Sequence, residues 1–237
     1  MKQAVIILLS LATALGSYHA QKSSVSNANV QTFSIDTISD AVFQRMRGKS
    51  YPKDCKIPRS ELRYLRLSYV DAQGHEHIGE MVCNRLIANS VRSIFQELYR
   101  QRYPIGRMQL IDDYDGDDER SMRANNTSCF NYRTVAGSTK LSKHSMGMAI
   151  DINPLYNPYV KVRKDGTLYV QPAQAAPYAD RKAGQHWTYK LEKGDPCHRL
   201  FLKHGFQWGG SWRSVKDYQH FESRLADGAV LPPAFQK

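Results

Sequence analysis

Beyond its first twenty residues the 237-residue chain has no apolar run long enough to cross a bilayer, so neither a membrane bundle nor a transmembrane anchor is expected. Its four cysteines, Cys55, Cys83, Cys129 and Cys197, form no C-x-x-C pair, which argues against a zinc ribbon or a thioredoxin-type site. H-E-x-x-H is absent, and with it the common metalloprotease helix. Ser50-Tyr51-Pro52-Lys53 fits S-x-x-K, but no K-T-G box follows and Pro52 separates the two reactive residues, so the match is a coincidence. No helix-turn-helix or aromatic ribonucleoprotein pattern occurs, and nucleic acid is not an expected partner. No internal repeat or clear linker divides the chain. Acids are scarce: 22 Asp and Glu face 33 Lys and Arg, for a formal net charge of +11. That excess favours anionic partners. With 41% hydrophobic residues the chain can still bury a sizeable core.

The one apolar run, from Ala4 to Leu15, follows Lys2 and precedes the small residues Gly16, Ser17 and Ala20. It is too short for a comfortable span and reads as a secretory signal peptide over residues 1–20. The expected destination is the periplasm, the cell envelope or the medium. No cysteine follows the run, so a lipoprotein anchor is not expected. Removing residues 1–20 removes only Lys2 among the charged residues. An exported basic protein meets an anionic bacterial wall more readily than nucleic acid. All four cysteines lie after this segment, which permits disulfides. Cys83 ends a strand that folds back toward residues before Leu62, so Cys55 is paired with Cys83, leaving Cys129 with Cys197. A monomer is expected.

Residues 21–60 read as a leader followed by a helix, and 61–237 as the main domain. Residues 21–32 are rich in Ser, Asn and Gln. Thr37 can cap a helix on which Ile38, Val42 and Met46 recur before Gly48 stops it. Leu62 to Val70 and His77 to Cys83 read as strands around the turn Asp71-Ala72-Gln73-Gly74. Val91, Ile94, Phe95 and Leu98 mark a second helix. Residues 112–119 hold six acids in eight positions, a solvated loop whose glycine is misplaced for an EF-hand. Asn153 to Gly184 reads as a long surface loop with a short hairpin near Gly166. Asp195-Pro196 starts a third helix that ends at Gly205.

Chemistry concentrates in Ser142-Lys143-His144-Ser145-Met146-Gly147-Met148-Ala149-Ile150-Asp151-Ile152. Met148, Ile150 and Ile152 alternate with Gly147, Ala149 and Asp151, a period of two that predicts a strand from Met146 to Ile152. Small side chains clear the second face, and His144 shares its parity with Asp151, making a plausible pair of metal ligands. Near the C-terminus stand Trp208-Gly209-Gly210-Ser211-Trp212 and Asp217-Tyr218-Gln219-His220-Phe221-Glu222. His220 could supply a third ligand, and catalytic zinc usually takes three. Asp217 and His220 can serve one site only if 217–219 form a turn into a strand starting near His220. Gly209 and Gly210 would let a loop fold over that site. His75-Glu76-His77 could also bind metal, but it adjoins a hairpin turn and reads as an exposed loop. His186, His198 and His204 read as structural or exposed.

Taken together, S-x-H-x-x-G-x-A-x-D and the later D-x-x-H resemble the M15 zinc peptidases, which include D-Ala-D-Ala carboxypeptidases, dipeptidases and L-alanyl-D-glutamate endolysins. The matching residues are Ser142, His144, Gly147, Ala149, Asp151, Asp217 and His220, and the resemblance extends from about Glu80 to Glu222. It implies an α+β fold of the hedgehog/DD-peptidase-like type, a small antiparallel sheet with flanking helices. It further implies Zn2+ on His144, Asp151 and His220, Asp217 as catalytic acid–base, and an upstream arginine on the scissile carbonyl. Spacing favours Arg133 for that arginine, with Arg123 as competitor. The implied substrate is the peptidoglycan stem peptide, cleaved by a carboxypeptidase, dipeptidase or endopeptidase whose loops at 153–190 close the cleft. The competing class is a non-catalytic wall-binding module on the same fold. Retention of Asp217 beside all three ligands speaks against it, since a structural ion needs no base.

Overall fold

The computed structural model describes residues 31–135, 138–182 and 184–225. The signal-peptide expectation and most of the 21–32 leader fall outside them. In chain order the regular elements are β1 (Phe33–Thr37), α1 (Asp40–Met46), β2 (Leu62–Val70), β3 (Glu76–Asn84) and α2 (Ala88–Arg100). These are followed by α3 (Asp118–Arg123), β4 (Ala149–Asp151), β5 (Tyr159–Val162) and β6 (Leu168–Gln171). The last are α4 (Pro196–Lys203), β7 (Phe206–Trp208), β8 (Lys216–Asp217) and β9 (His220–Ser223). The fold is α+β, but in place of one small sheet there are three, each of three antiparallel strands: β1-β2-β3, β4-β9-β7 and β6-β5-β8. Among the described residues no helix is long and apolar enough to cross a membrane.

The first sheet is built on the expected hairpin. Asp71 Oδ1 accepts from the backbone N–H of Gln73 and of His75, both at 2.9 Å, and Gly74 supplies the left-handed residue at φ +83°. His75 Nδ1 and His77 Nε2 both turn to Asp71 Oδ2, at 3.3 and 2.8 Å. The second metal candidate is therefore an exposed Asp–His turn. Ala88, Val91, Ile94, Phe95 and Leu98 form a stripe at helical spacing, and α2 packs it against β2. The first helix starts later than expected. Ser39, not Thr37, is its cap, accepting from Val42 N–H at 3.3 Å. Thr37 instead ends β1, a strand not foreseen, in register with Arg63 of β2. Lone edge strands carry little periodicity; partner pairing makes this one.

The second sheet carries the local surprise. Residues 143–146 form a 3-10 turn, not strand, and β4 begins only at Ala149. Gly147 sits between them at φ +65°, where a Cβ would lie 2.7 Å from the backbone nitrogen of Asn84. Its smallness serves a close approach to the end of β3, not clearance for a ligand. Met148, Ile150 and Ile152 are buried as expected. Phe221 on β9 stacks on Phe201 of α4 at 4.1 Å, and Phe206 meets Phe201 edge-on at 5.2 Å. That aromatic trio fixes the sheet to its helix. Helix α4 starts as expected, with Asp195 Oδ1 accepting from His198 N–H at 2.7 Å, and Gly205 follows it at φ +82°.

The disulfides are corrected outright: all four cysteines are free thiols. Cys83, Cys129 and Cys197 are buried and Cys55 is half-buried. Cys55 turns toward the Ile57 carbonyl, Cys197 lies beside Tyr103 and Asp195, and Cys129 turns toward the Gly147 carbonyl at 3.5 Å. Hairpin direction alone cannot bring the Cys55 and Cys83 side chains to bonding geometry.

Candidate metal centre

His144 owes its position to the 3-10 turn. Ser142 Oγ caps that turn by accepting from His144 N–H at 3.2 Å. The imidazole Nδ1 lies 2.6 Å from the Cys129 carbonyl oxygen, which makes Nδ1–H the donor and leaves Nε2 facing inward. Asp151 is clamped from two sides. Its backbone exchanges hydrogen bonds with Ser128 at 2.9 and 3.1 Å, and β4 pairs with β9 so that Asp151 stands opposite His220. Residues directly opposite in a ladder share a face. The register thus delivers the third group, 69 residues away in sequence.

The three side chains converge. His144 Nε2 lies 3.2 Å from His220 Nδ1 and 3.2 Å from Asp151 Oδ2, and His220 Nδ1 lies 3.0 Å from Asp151 Oδ1. All three residues are buried, at 3, 5 and 7% exposure for His144, Asp151 and His220. Ligands on a tetrahedral zinc at about 2.0–2.1 Å stand about 3.3 Å apart. The donor set and its spacing fit such an ion. Among the described residues no other set of three His, Cys, Asp or Glu groups meets within 4.8 Å.

Electrostatics follow from burial and proximity. Burial opposes ionisation of Asp151, but His144 and His220 outweigh it and hold its carboxyl well below the usual range. Burial lowers His220, yet its hydrogen bonds to Asp151 and to Glu222, the latter at 3.4 Å, raise it to about 10. Asp217 is pushed up to about 6 by burial, with His220 lowering it and the neighbouring Asp151 charge adding to the rise. Its Oδ1 is shut from solvent and has no hydrogen-bond partner among the described residues. An unpaired buried carboxylate oxygen is costly unless a ligand meets it.

Asp217 reaches this place by a route the sequence reading missed. Of the turn expected over 217–219, Tyr218 and Gln219 do bend into a strand that starts at His220, but Asp217 itself belongs to β8, an edge strand of the third sheet, opposite Tyr159 of β5. Tyr218 and Gln219 carry the chain across to β9. A Cβ on Gly209 would lie 2.7 Å from the Asp217 carbonyl oxygen, and one on Gly210 would run into the Trp208 ring. The two glycines therefore permit close packing under the site; they are not the hinge of a folding loop.

A cleft of about 770 Å³ opens over these residues. Arg133 lines it, its backbone pinned to the 143–146 turn: N–H donates to Ser145 Oγ at 2.9 Å and the carbonyl accepts from Ser142 N–H at 3.0 Å. Its guanidinium pairs with Asp118 at 2.8 Å, and Nε is buried with no hydrogen-bond partner among the described residues. Arg123 is exposed in the last turn of α3 and is not among the cleft-lining residues, so of these two arginines only Arg133 lines the cleft. Trp212 also lines the cleft, 5.4 Å from the His220 ring. Tyr159, Lys161, Arg163, Tyr169 and Gln171 complete a wall that sequence reasoning did not assign. Its signal was the alternation within a hairpin recognised only as a hairpin.

A family model described as D-alanyl-D-alanine carboxypeptidase, of the M15 peptidases, matches residues 136–223. Over this stretch the chain is similar to the M15 peptidases. The matched segment contains His144, Asp151, Asp217 and His220, while Arg133 and the first sheet lie before it. No curated protein and no solved structure matches the chain.

Proposed function

We propose that this chain is an exported zinc peptidase that hydrolyses a peptide bond in the stem peptide of peptidoglycan, of the D-Ala-D-Ala carboxypeptidase or L-Ala-D-Glu endopeptidase type. The observation that carries the reading is the convergence of two buried histidines and a buried carboxylate beside Asp217, whose Oδ1 lacks a partner, on one open cleft. His144, Asp151 and His220 would hold the ion. When bound there, zinc polarises a carbonyl and lowers the pKa of a bound water toward neutrality.

This chain's own groups do the rest. Asp217 takes a proton from the attacking water and returns it to the leaving amine, so that water is added across the broken C–N bond. Burial prepares it for both roles by raising its carboxyl toward the working pH. Arg133 offers a fixed cation to the scissile carbonyl oxygen as negative charge develops there. The Cys129 carbonyl and the Glu222 carboxylate orient the two imidazoles through their outer nitrogens, His144 Nδ1 and His220 Nε2. The excess of basic residues holds the enzyme on an anionic wall, an attraction that salt weakens.

The test is digestion of purified peptidoglycan with mass spectrometry of the fragments, alongside elemental analysis. One zinc per chain and release of stem-peptide fragments are expected. A His144→Ala, His220→Ala double variant should lose both. Stoichiometric zinc in that variant, or no fragment from the zinc-loaded wild type, sinks the reading.

A further inference from the structure

Strands β5 and β6 form a hairpin, and β5 pairs directly with β8, the strand that carries Asp217. Its two faces differ sharply. Tyr159 stands opposite Gln171 and Lys161 opposite Tyr169, and all four line the cleft. The alternating pairs, Val160 with Val170 and Val162 with Leu168, do not line it. Period-two alternation thus gives the hairpin a cleft face that is aromatic and cationic, extended by Arg163.

Charge in the cleft is sorted by depth. The acids Asp118, Asp151, Asp217 and Glu222 are buried or half-buried, and each faces a cation or histidine of the floor. Lys140, Lys161 and Arg163 are exposed. Among the described residues neither Lys161 nor Arg163 joins an ion pair with a carboxylate. The Arg163 guanidinium lies over the Tyr169 ring, 5.1 Å from its centroid, which orients the planar fork while leaving its N–H donors free to bind. A cleft of about 770 Å³ is also larger than the two residues flanking a scissile bond require.

We propose that the cleft face of the β5–β6 hairpin is a carboxylate subsite, in which Lys161 and Arg163 bind an acidic group of the substrate away from the scissile bond. It rests on the reading of this cleft as a peptidase site and narrows its substrate to acidic peptides longer than a dipeptide. Lys161 and Arg163 act as specificity residues; they do not touch the reacting atoms. Because both stand in a partly solvated wall, their contribution falls as salt rises.

Two synthetic stem pentapeptides test this, identical except that the D-glutamate α-carboxylate is free in one and amidated in the other. Binding of each to the zinc-loaded full chain of Asp217→Ala is measured by calorimetry, and hydrolysis of each by the wild type is measured separately. The free acid should bind on the order of tenfold more tightly, the size of two charge-assisted contacts at a partly exposed site. A Lys161→Gln, Arg163→Gln double variant should bring the two peptides within about twofold, through KM more than kcat. Lys164→Gln, at the hairpin tip and outside the cleft lining, should keep the preference. Equal binding of acid and amide, no binding of either, or a preference that survives in the double variant overturns the proposal. Cleavage of both peptides without preference would overturn this subsite and leave the peptidase reading standing. Preferential binding without cleavage of either would do the reverse.

Discussion

The sheet β1-β2-β3 with α2 buries Leu62, Leu65, Leu67, Ile94 and Phe95, side chains that ask only to leave water. The sheets that carry the cleft bury His144, Asp151, His220, Asn153 and Asn157 at similar depth, and each must find a partner. The first region gains from every contact it makes. The second holds groups whose burial is unfavourable unless a neighbour or a ligand meets them. Stability and chemistry are thereby placed in separate parts of one chain, with the aromatic trio of Phe201, Phe206 and Phe221 securing the polar part to its helix. A site can be costly where a neighbouring core is strong.

The contrast breaks most visibly at Asp217. Asp217→Ala should lower kcat by about a hundredfold to ten-thousandfold, the usual loss for an acid–base group. Zinc content should stay at the wild-type level, because Asp217 is not one of the three converging donors. Urea unfolding should show equal or slightly greater stability, since a buried oxygen without a partner is removed. Wild-type turnover in this variant would refute the role and turn attention to Glu222, which lines the cleft and approaches His220 Nε2.

Phe95→Ala probes the other region and should do the opposite. Truncating this fully buried ring should cost about 3–5 kcal/mol of stability, with activity per folded molecule unchanged. A urea titration paired with zinc-normalised turnover decides it. Loss of specific activity without loss of stability would show that the two regions are not separable.

The smallest effect sharpens the comparison within the first region, at one of its paired charges. Glu80 of β3 accepts from Arg45 of α1 at 2.8 Å and from the Tyr64 hydroxyl, and the Arg45 hydrogen bond holds its carboxyl below the usual range. A depressed folded-state pKa adds stability that is present above the ordinary glutamate pKa and is lost as pH falls through the folded value. The pair is partly solvated, so Glu80→Gln should cost no more than about 1 kcal/mol at neutral pH. Below the folded-state value of Glu80 the variant and the wild type should unfold at the same denaturant concentration. A gap that persists in acid would mean the side chain acts through packing instead of charge.

Much of this could be read locally. The α2 stripe, the Asp71–Gly74 turn and the Asp195-Pro196 start of α4 are short-range signals, and each element stands where its spacing put it. The group His144, Asp151 and His220 was legible because ligand chemistry allows few residue types and the family pattern spaces them. Gly147, Gly209 and Gly210 were recognised as unusual but misread, since what a missing Cβ avoids depends on the chain that packs there. β1 and the state of the cysteines were misread for the same reason: a strand needs its partner, and a disulfide needs two side chains aimed at each other.

What the sequence by itself determined is therefore the chemistry and the nearest-neighbour conformation. Residue identity sets which groups can ligate, titrate or fill a core, and hydrophobic period sets helix or strand over a few turns. Only the tertiary structure decided which of those groups meet. Ladder register set Asp151 against His220, and a separate two-residue strand brought Asp217 to the same cleft. It also put Arg133, and not Arg123, in the cleft lining, and turned one face of the β5–β6 hairpin toward the site. The physical reason is range: propensity and period act over a turn or a hairpin, whereas register and packing are settled by burying all the apolar surface at once.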